Sequence, residues 1–164
     1  MPAMKQFVPA LVLGLTLTHP LAAQPTPART PADSVTAVVQ EFFRAMQTRD
    51  SAALRSTITP DATAWAIASG ANKTPAARPL SDFPVDLVRG DRRLLERMWS
   101  PTVLVHRETA VVWTPYDFHV NGTFSHCGVD AFSLVRGEGR WRIAAITYTV
   151  ERQGCAPSPL GVPR

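Results

Sequence analysis

Around the dipeptide Asn121-Gly122 the chain spaces four side chains that can give or take a proton: Asp117 and His119 before it, His126 and Asp130 after it. Asn-Gly is a strong two-residue hairpin signal, because both residues tolerate positive φ. An antiparallel hairpin counted outward from it pairs Val120 with Thr123, His119 with Phe124, Asp117 with His126, Trp113 with Asp130 and Val111 with Phe132. One face then carries Trp113, Asp117, His119, Phe124, His126, Asp130 and Phe132. A carboxylate opposite an imidazole fixes its tautomer, and two carboxyls with two imidazoles in a partly apolar setting have shifted pKa values that suit acid–base chemistry. Asp117, His126 and Asp130 are therefore the candidate catalytic residues; the same groups at an open rim would be structural. Alternate-residue spacing of His119, His126 and Asp117 on a flat hairpin is not a metal signature, so no metal and no other cofactor is expected. No Gly-rich phosphate loop, nucleophile elbow or metalloprotease motif occurs, and Arg89-Gly90-Asp91 reads as a helix end and turn rather than an adhesion tripeptide.

The elements that must hold these groups follow from patterning. Val35, Val38, Val39, Phe42, Phe43 and Met46 recur at helical spacing, so a helix starts at Asp33 with Asp33 or Ser34 as its cap and ends near Arg49-Asp50. Ser51 caps a short second helix that Pro60 stops, and Ala62 to Ala68 reads as a strand. Residues 69–79 carry no apolar pattern and read as a mobile loop; Ser81-Asp82 opens a helix through Val88 that Gly90 closes. Long alternating runs follow: Leu94 to Val105 bent at Ser100-Pro101, Thr109 to Val120, Phe124 to Val135 and Trp141 to Glu151. A turn at Glu138-Gly139 would add Ile143, Ala145, Thr147 and Thr149 to the histidine face. The other face holds Val112, Tyr116, Phe118, Cys127 and Val129, also apolar, so both faces compete for the helices. Helices first and strands after define an α+β domain whose curved antiparallel sheet takes the N-terminal helices on its concave side.

At 164 residues the chain holds one core, and 45% hydrophobic with 18% charged residues is ordinary globular composition. Fifteen of its seventeen basic residues are arginines with no run longer than Arg92-Arg93, so the net charge of +4 is spread out and no nucleic-acid partner is expected. Lys5, the apolar run 7–17, the break at His19-Pro20 and the pair Ala22-Ala23 lay out a secretory signal over 1–23, too short to span a bilayer. A Pro/Thr-rich linker occupies 24–32, the domain 33–155, and a flexible tail 156–164. The protein is thus expected to be exported, periplasmic or secreted, and without a membrane contact once the signal is cut. Two cysteines in an oxidising compartment, Cys127 and Cys155, should form a disulfide.

The runs Val38-x3-Phe42-Phe43, Ala110-Val111-Val112-Trp113, Tyr116-Asp117-Phe118, Ser125 to Phe132 and Trp141-Arg142-Ile143-Ala144, with Asp50 and Asn121-Gly122, resemble the nuclear-transport-factor-2-like superfamily, which includes ketosteroid isomerase and SnoaL-like polyketide cyclases. Residues 116–144 look most like its exported bacterial members grouped as SnoaL-like or lumazine-binding. The resemblance implies a cone-shaped fold with a ligand pocket. Such a pocket would be lined here by Trp65, Trp113, His119, Phe124, Phe132, Trp141, Ile143 and Thr147. The acid–base carboxylates of the isomerases have no position-by-position match. The expected function is binding of a small apolar or aromatic molecule by a homodimer; the alternatives are an isomerase- or cyclase-like enzyme using the Asp/His set and a dimeric interaction module.

Overall fold

A computed structural model describes residues 29–68 and 74–163. Helix α1 spans Pro31–Thr48 and starts earlier than its apolar pattern indicates. Thr30 caps it, accepting from the Asp33 N–H at 3.1 Å while the Asp33 carboxylate accepts from the Thr30 N–H at 3.0 Å. Pro31 at the first position loses nothing, since that N–H has no helical partner. Asp33 is thus the third helical residue of a capping box, not the cap. Helix α2, Ser51–Thr57, is capped one residue before the expected Ser51, by Asp50, whose carboxylate accepts from the Ala53 N–H at 2.9 Å.

The strands are β1 (Ile58–Ala68), β2 (Ala76–Pro79), β3 (Leu94–Met98), β4 (Thr102–His106), β5 (Thr109–Val120), β6 (Thr123–Gly137) and β7 (Arg140–Val150); a 3₁₀ turn (Leu80–Asp82) and helix α3 (Phe83–Arg89) lie between β2 and β3. Pro60 falls in β1 where the pairing with β7 is interrupted between Ile58 and Thr63, so its missing N–H breaks no ladder. The strands form one curled, unclosed sheet in the order β2-β1-β7-β6-β5-β3, with β4 pairing farther along β5. Part of the expected mobile loop is β2, an edge strand on β1. The sheet is not a pure antiparallel meander: β1 runs parallel to β7 and covers what would be its free edge.

Two bulges set which side chains face the helices. Val120 and His119 pair with Thr123 and Phe124 as the hairpin arithmetic requires, but Ser125 is then skipped and Phe118 pairs with His126, Asp117 with Cys127 and Thr114 with Asp130. A second skip at Ala144 pairs Leu134 with Ile143 but Phe132 with Ile146 and Asp130 with Tyr148. One extra residue reverses the facing of everything beyond it. The helix-covered face therefore carries Val112, Thr114, Tyr116, His126, Asp130, Phe132, Leu134 and Ile146, and α1 closes on it with Val35, Val39, Phe42, Phe43 and Met46, all buried. Across from Tyr116 sits Gly128, where a Cβ would meet the Thr149 carbonyl oxygen at 2.3 Å. The missing side chain lets the Tyr116 hydroxyl donate to that same oxygen at 2.6 Å.

Cys127 and Cys155 are joined in a disulfide, and residues 156–163, expected to be a free tail, run back over the outer face of the sheet, where Arg97 Nη1 donates to the Gly161 carbonyl at 3.0 Å. The expected signal 1–23 and most of the linker 24–32 lie outside the described residues. Among the described residues no helix is long and apolar enough to cross a membrane. The cross-link spans 28 residues of chain, so reduction should lower unfolding stability by about 3–4 kcal/mol in the chain-entropy treatment. Urea midpoints with and without a thiol reductant measure this, and the denatured, unreduced protein should titrate no free thiol.

Candidate functional site

Between α1, the 3₁₀ turn and the curled sheet lies a cavity of about 80 Å³. Phe42, Phe43 and Met46 from α1, Ala64 from β1, Leu80 and Phe83 from the turn and α3, and Phe118, Phe132 and Ile146 from the sheet make its wall apolar. Five polar side chains break that wall: Glu96, His126, Asp130, Tyr148 and Arg78. The β3–β5 register pairs Glu96 with Phe118, which puts it on the inner face, while its neighbour Arg97 pairs with Asp117 on the outer face.

Glu96 and Asp130 are the chemical centre. Asp130 is 2% exposed and lies within hydrogen-bonding reach of Glu96. Burial pushes Asp130 up to about 7, the Glu96 hydrogen bond partly offsetting this. Burial, reinforced by the neighbouring Asp130 charge, raises Glu96 well above the carboxylate range. Two carboxyls this close in an apolar wall share a proton, since ionising both would place like charges in contact. At neutral pH the pair can donate, accept, or pass a proton to a ligand in the cavity it lines. Beside it His126 stacks on Phe118 with ring centroids 4.8 Å apart, and its Nδ1 is 3.0 Å from the Ser125 hydroxyl. Burial, aided by the Arg152 charge, lowers the His126 pKa, so this imidazole is neutral near pH 7.

Asp117 does not meet His126. The bulge turns His126 inward and leaves Asp117 on the outer face, where Arg97 clamps it through Nε at 2.8 Å and Nη2 at 2.5 Å. Burial would raise Asp117, but the Arg97 hydrogen bonds and charge outweigh it and hold the carboxyl below its usual range. His119 lies on the same side, its Nε2 3.5 Å from Asp117 Oδ1, and among the described residues neither ring nitrogen has a hydrogen-bond partner. The segment 156–163 roofs this cluster with Pro157, Ser158 and Gly161.

Of the expected catalytic set, the structure thus brings His126 and Asp130 to the cavity and sends Asp117 away. Of the expected pocket residues only Phe132 lines it. Trp65, Trp113 and Phe124 are exposed on the outer side, at 43%, 55% and 45%, and Thr147 is exposed beside Trp65. His119 packs edge-on to Phe124 on that outer face, and Trp141 and Ile143 are core residues. Sequence reasoning missed Glu96. Its signal was a lone acid in the alternating run Leu94 to Met98, where it falls in step with the inward Leu94 and Met98.

A curled, unclosed sheet wrapped on N-terminal helices around an apolar cavity is the nuclear-transport-factor-2-like fold. Within it the chain belongs to the family described as "Putative lumazine-binding", whose profile matches residues 30–149. No curated protein sequence matches the chain. Among solved structures it is similar to a nuclear-transport-factor-2-like protein from Cytophaga hutchinsonii, at 13% identity over 74% of this chain and 99% of that one with a TM-score of 0.62. It is also similar to a Mycobacterium tuberculosis protein of unknown function, at 14% identity over 74% and 76% with a TM-score of 0.59. A third is a cystatin-like protein from Nostoc punctiforme, at 11% identity over 80% and 97% with a TM-score of 0.59. At these identities the likeness establishes the fold and nothing finer.

Because the folded-state pKa of Asp130 is raised to about 7, above the unfolded value near 4, the folded protein holds the extra proton, and this group's contribution to stability is full below pH 4 and lost as pH rises through 7. Asp130→Asn should therefore be more stable than the parent at pH 8, by an amount of order 2 kcal/mol, and equal to it or weaker at pH 4. Urea midpoints at the two pH values check this; parallel curves would show that Asp130 titrates normally.

Proposed function

We propose that this protein is an exported binder of a compact, mainly apolar or aromatic molecule, held in the inner cavity with a hydrogen-bond donor set on Asp130. The observation that carries the reading is the carboxyl pair of Glu96 and Asp130, which together line an apolar cavity. A few polar groups set in an apolar wall orient a ligand, and a ligand donor to the pair would offset part of the cost of burying it. Membership of a lumazine-binding-like family supports a small-molecule role, and the disulfide suits an oxidising compartment. Natively purified protein should release a small apolar or aromatic compound on denaturation, seen by mass spectrometry. Ala64→Leu, which fills the cavity from its β1 wall, should abolish that release while the chain stays folded by circular dichroism. Protein that carries nothing and binds no aromatic probe would sink the reading.

The second reading is an acid–base enzyme, favoured by one observation: two carboxyls, Glu96 and Asp130, line one apolar cavity, where burial pushes Asp130 up to about 7. In it Asp130 and Glu96 take the roles first given to Asp117 and Asp130, with His126 as a neutral hydrogen-bonding group.

We also propose that the protein is a homodimer. With the histidine face inward, Tyr116, Phe118, Val112 and Val129 would be the interface candidates; instead Val112 and Tyr116 are buried under the helices and Phe118 lines the cavity. The outer face leaves Leu104, Val111, Trp113 and Val135 exposed along neighbouring strands. A contiguous apolar band on a β-sheet is a self-complementary surface of the kind a two-fold dimer buries. Light scattering at tens of micromolar should give twice the chain mass, and Trp113→Lys should return it to the monomer.

A further inference from the structure

We propose that the ligand of the inner cavity is an organic acid: an apolar or aromatic body that enters the cavity and a carboxylate that Arg78 holds at its mouth. This rests on the reading of the cavity as a binding site. The argument begins with register. Arg78 pairs with Ala64 across β1 and β2, and Ala64 faces the cavity, so Arg78 stands on the inner, helix-covered side of the sheet. It lines both the cavity and an adjoining outer cleft of about 260 Å³ that also includes Arg92, Leu94 and Asp86. The two spaces meet at Arg78, Phe83 and Phe118.

The guanidinium is held but not neutralised. It lies over the Phe83 ring, 5.5 Å from its centroid, a stacking that leaves the N–H edge free to form two parallel bonds to a carboxylate. Among the described residues no acid forms an ion pair with it, and residues 1–28, 69–73 and 164 include no Asp or Glu. Asp86 shares the outer cleft without reaching Arg78, and Arg92 on the same cleft opposes its charge.

The other end of the cavity fixes the ligand's direction. Glu96 and Asp130 line the cavity but not the outer cleft, so a carboxylate pointing inward would meet two acids, while one pointing outward meets a cation. The space between is walled by Phe42, Phe43, Phe118 and Phe132. A molecule with a negative outer end, an aromatic middle and a neutral hydrogen-bond donor inside satisfies all three zones at once.

The test uses the full oxidised chain and two probes of one shape, 2-naphthoate and its neutral counterpart 2-naphthamide, titrated by calorimetry. The parent should bind the naphthoate more tightly. Arg78→Gln should weaken naphthoate by roughly three- to tenfold, the range of a part-exposed charge-assisted pair, and leave the amide within twofold. Arg78→Lys should restore the preference for the acid, which a purely structural role through Phe83 stacking would not. Equal binding of both probes by the parent, or equal loss of both in Arg78→Gln, overturns the acid-specific inference and leaves the cavity reading standing. Binding of neither probe overturns both.

Discussion

The β-bulge at Ser125 is the constraint on which the rest depends. Between Phe124 and His126 one residue of β6 goes unpaired, and from there outward every β6 side chain points to the face opposite the one a regular hairpin would give it. His126, Asp130 and Phe132 turn inward to meet Phe118, Thr114 and Val112, and α1 seals them with its phenylalanines. The bulge at Ala144 repeats the correction on β7, so that Ile146 and Tyr148 follow Phe132 and Asp130 to the same side. Without the second bulge, Ala145 and Thr147 would stand where the cavity has Ile146 and Tyr148. Each bulge also increases local twist, which helps the sheet curl around the helices rather than lie flat beneath them.

The bulges sort the charged groups as well as the shapes. Three acids sit within a few residues of register of one another, yet their environments drive them apart. Asp117 turns outward to a bidentate arginine, the side chains 6% and 15% exposed, and stays ionised because the fork of Arg97 supplies both charge and hydrogen bonds. Asp130 and Glu96 turn inward, form no ion pair among the described residues, and move up in pKa for want of solvent. Tyr116, buried beside them, is raised too, by burial first and then by the Glu96 and Asp130 charges. The one thickness of sheet between Arg97 and Glu96, adjacent in sequence, separates an ion pair from a shared proton.

Legibility in the sequence follows range of interaction. The α1 pattern, the Asn121-Gly122 turn and the full span of β5 are local signals, and the structure reproduces them. The start of α1 was hidden because its capping box lies before the first apolar residue of the repeat, in a stretch whose prolines read as linker. The β1–β7 pairing joins residues some eighty positions apart and no local pattern encodes it. Facing is the most fragile inference of all. Its period is two, so a single skipped residue at Ser125 parted His126, Asp130 and Phe132 from Asp117, His119, Trp113 and Phe124 while leaving the bounds of β5 and β6 nearly where they were expected. Nothing in Phe124-Ser125-His126 announces a bulge, since neither glycine nor proline is there.

The same arithmetic explains why Glu96 escaped notice and why it matters. A charged residue in a short edge strand reads as a solvent-facing side chain, and its partner strand decides otherwise: pairing with Phe118 obliges position 96 to face the helices. An ionised glutamate there would be expensive, so the site tolerates it only as a protonated partner of Asp130. A hydrophobic residue of similar volume would pack the wall at less cost, as would a leucine at 130. Two mutually dependent acids in a wall of phenylalanines are the feature that core packing alone does not require, and they are why the cavity is proposed as a site rather than as a packing defect.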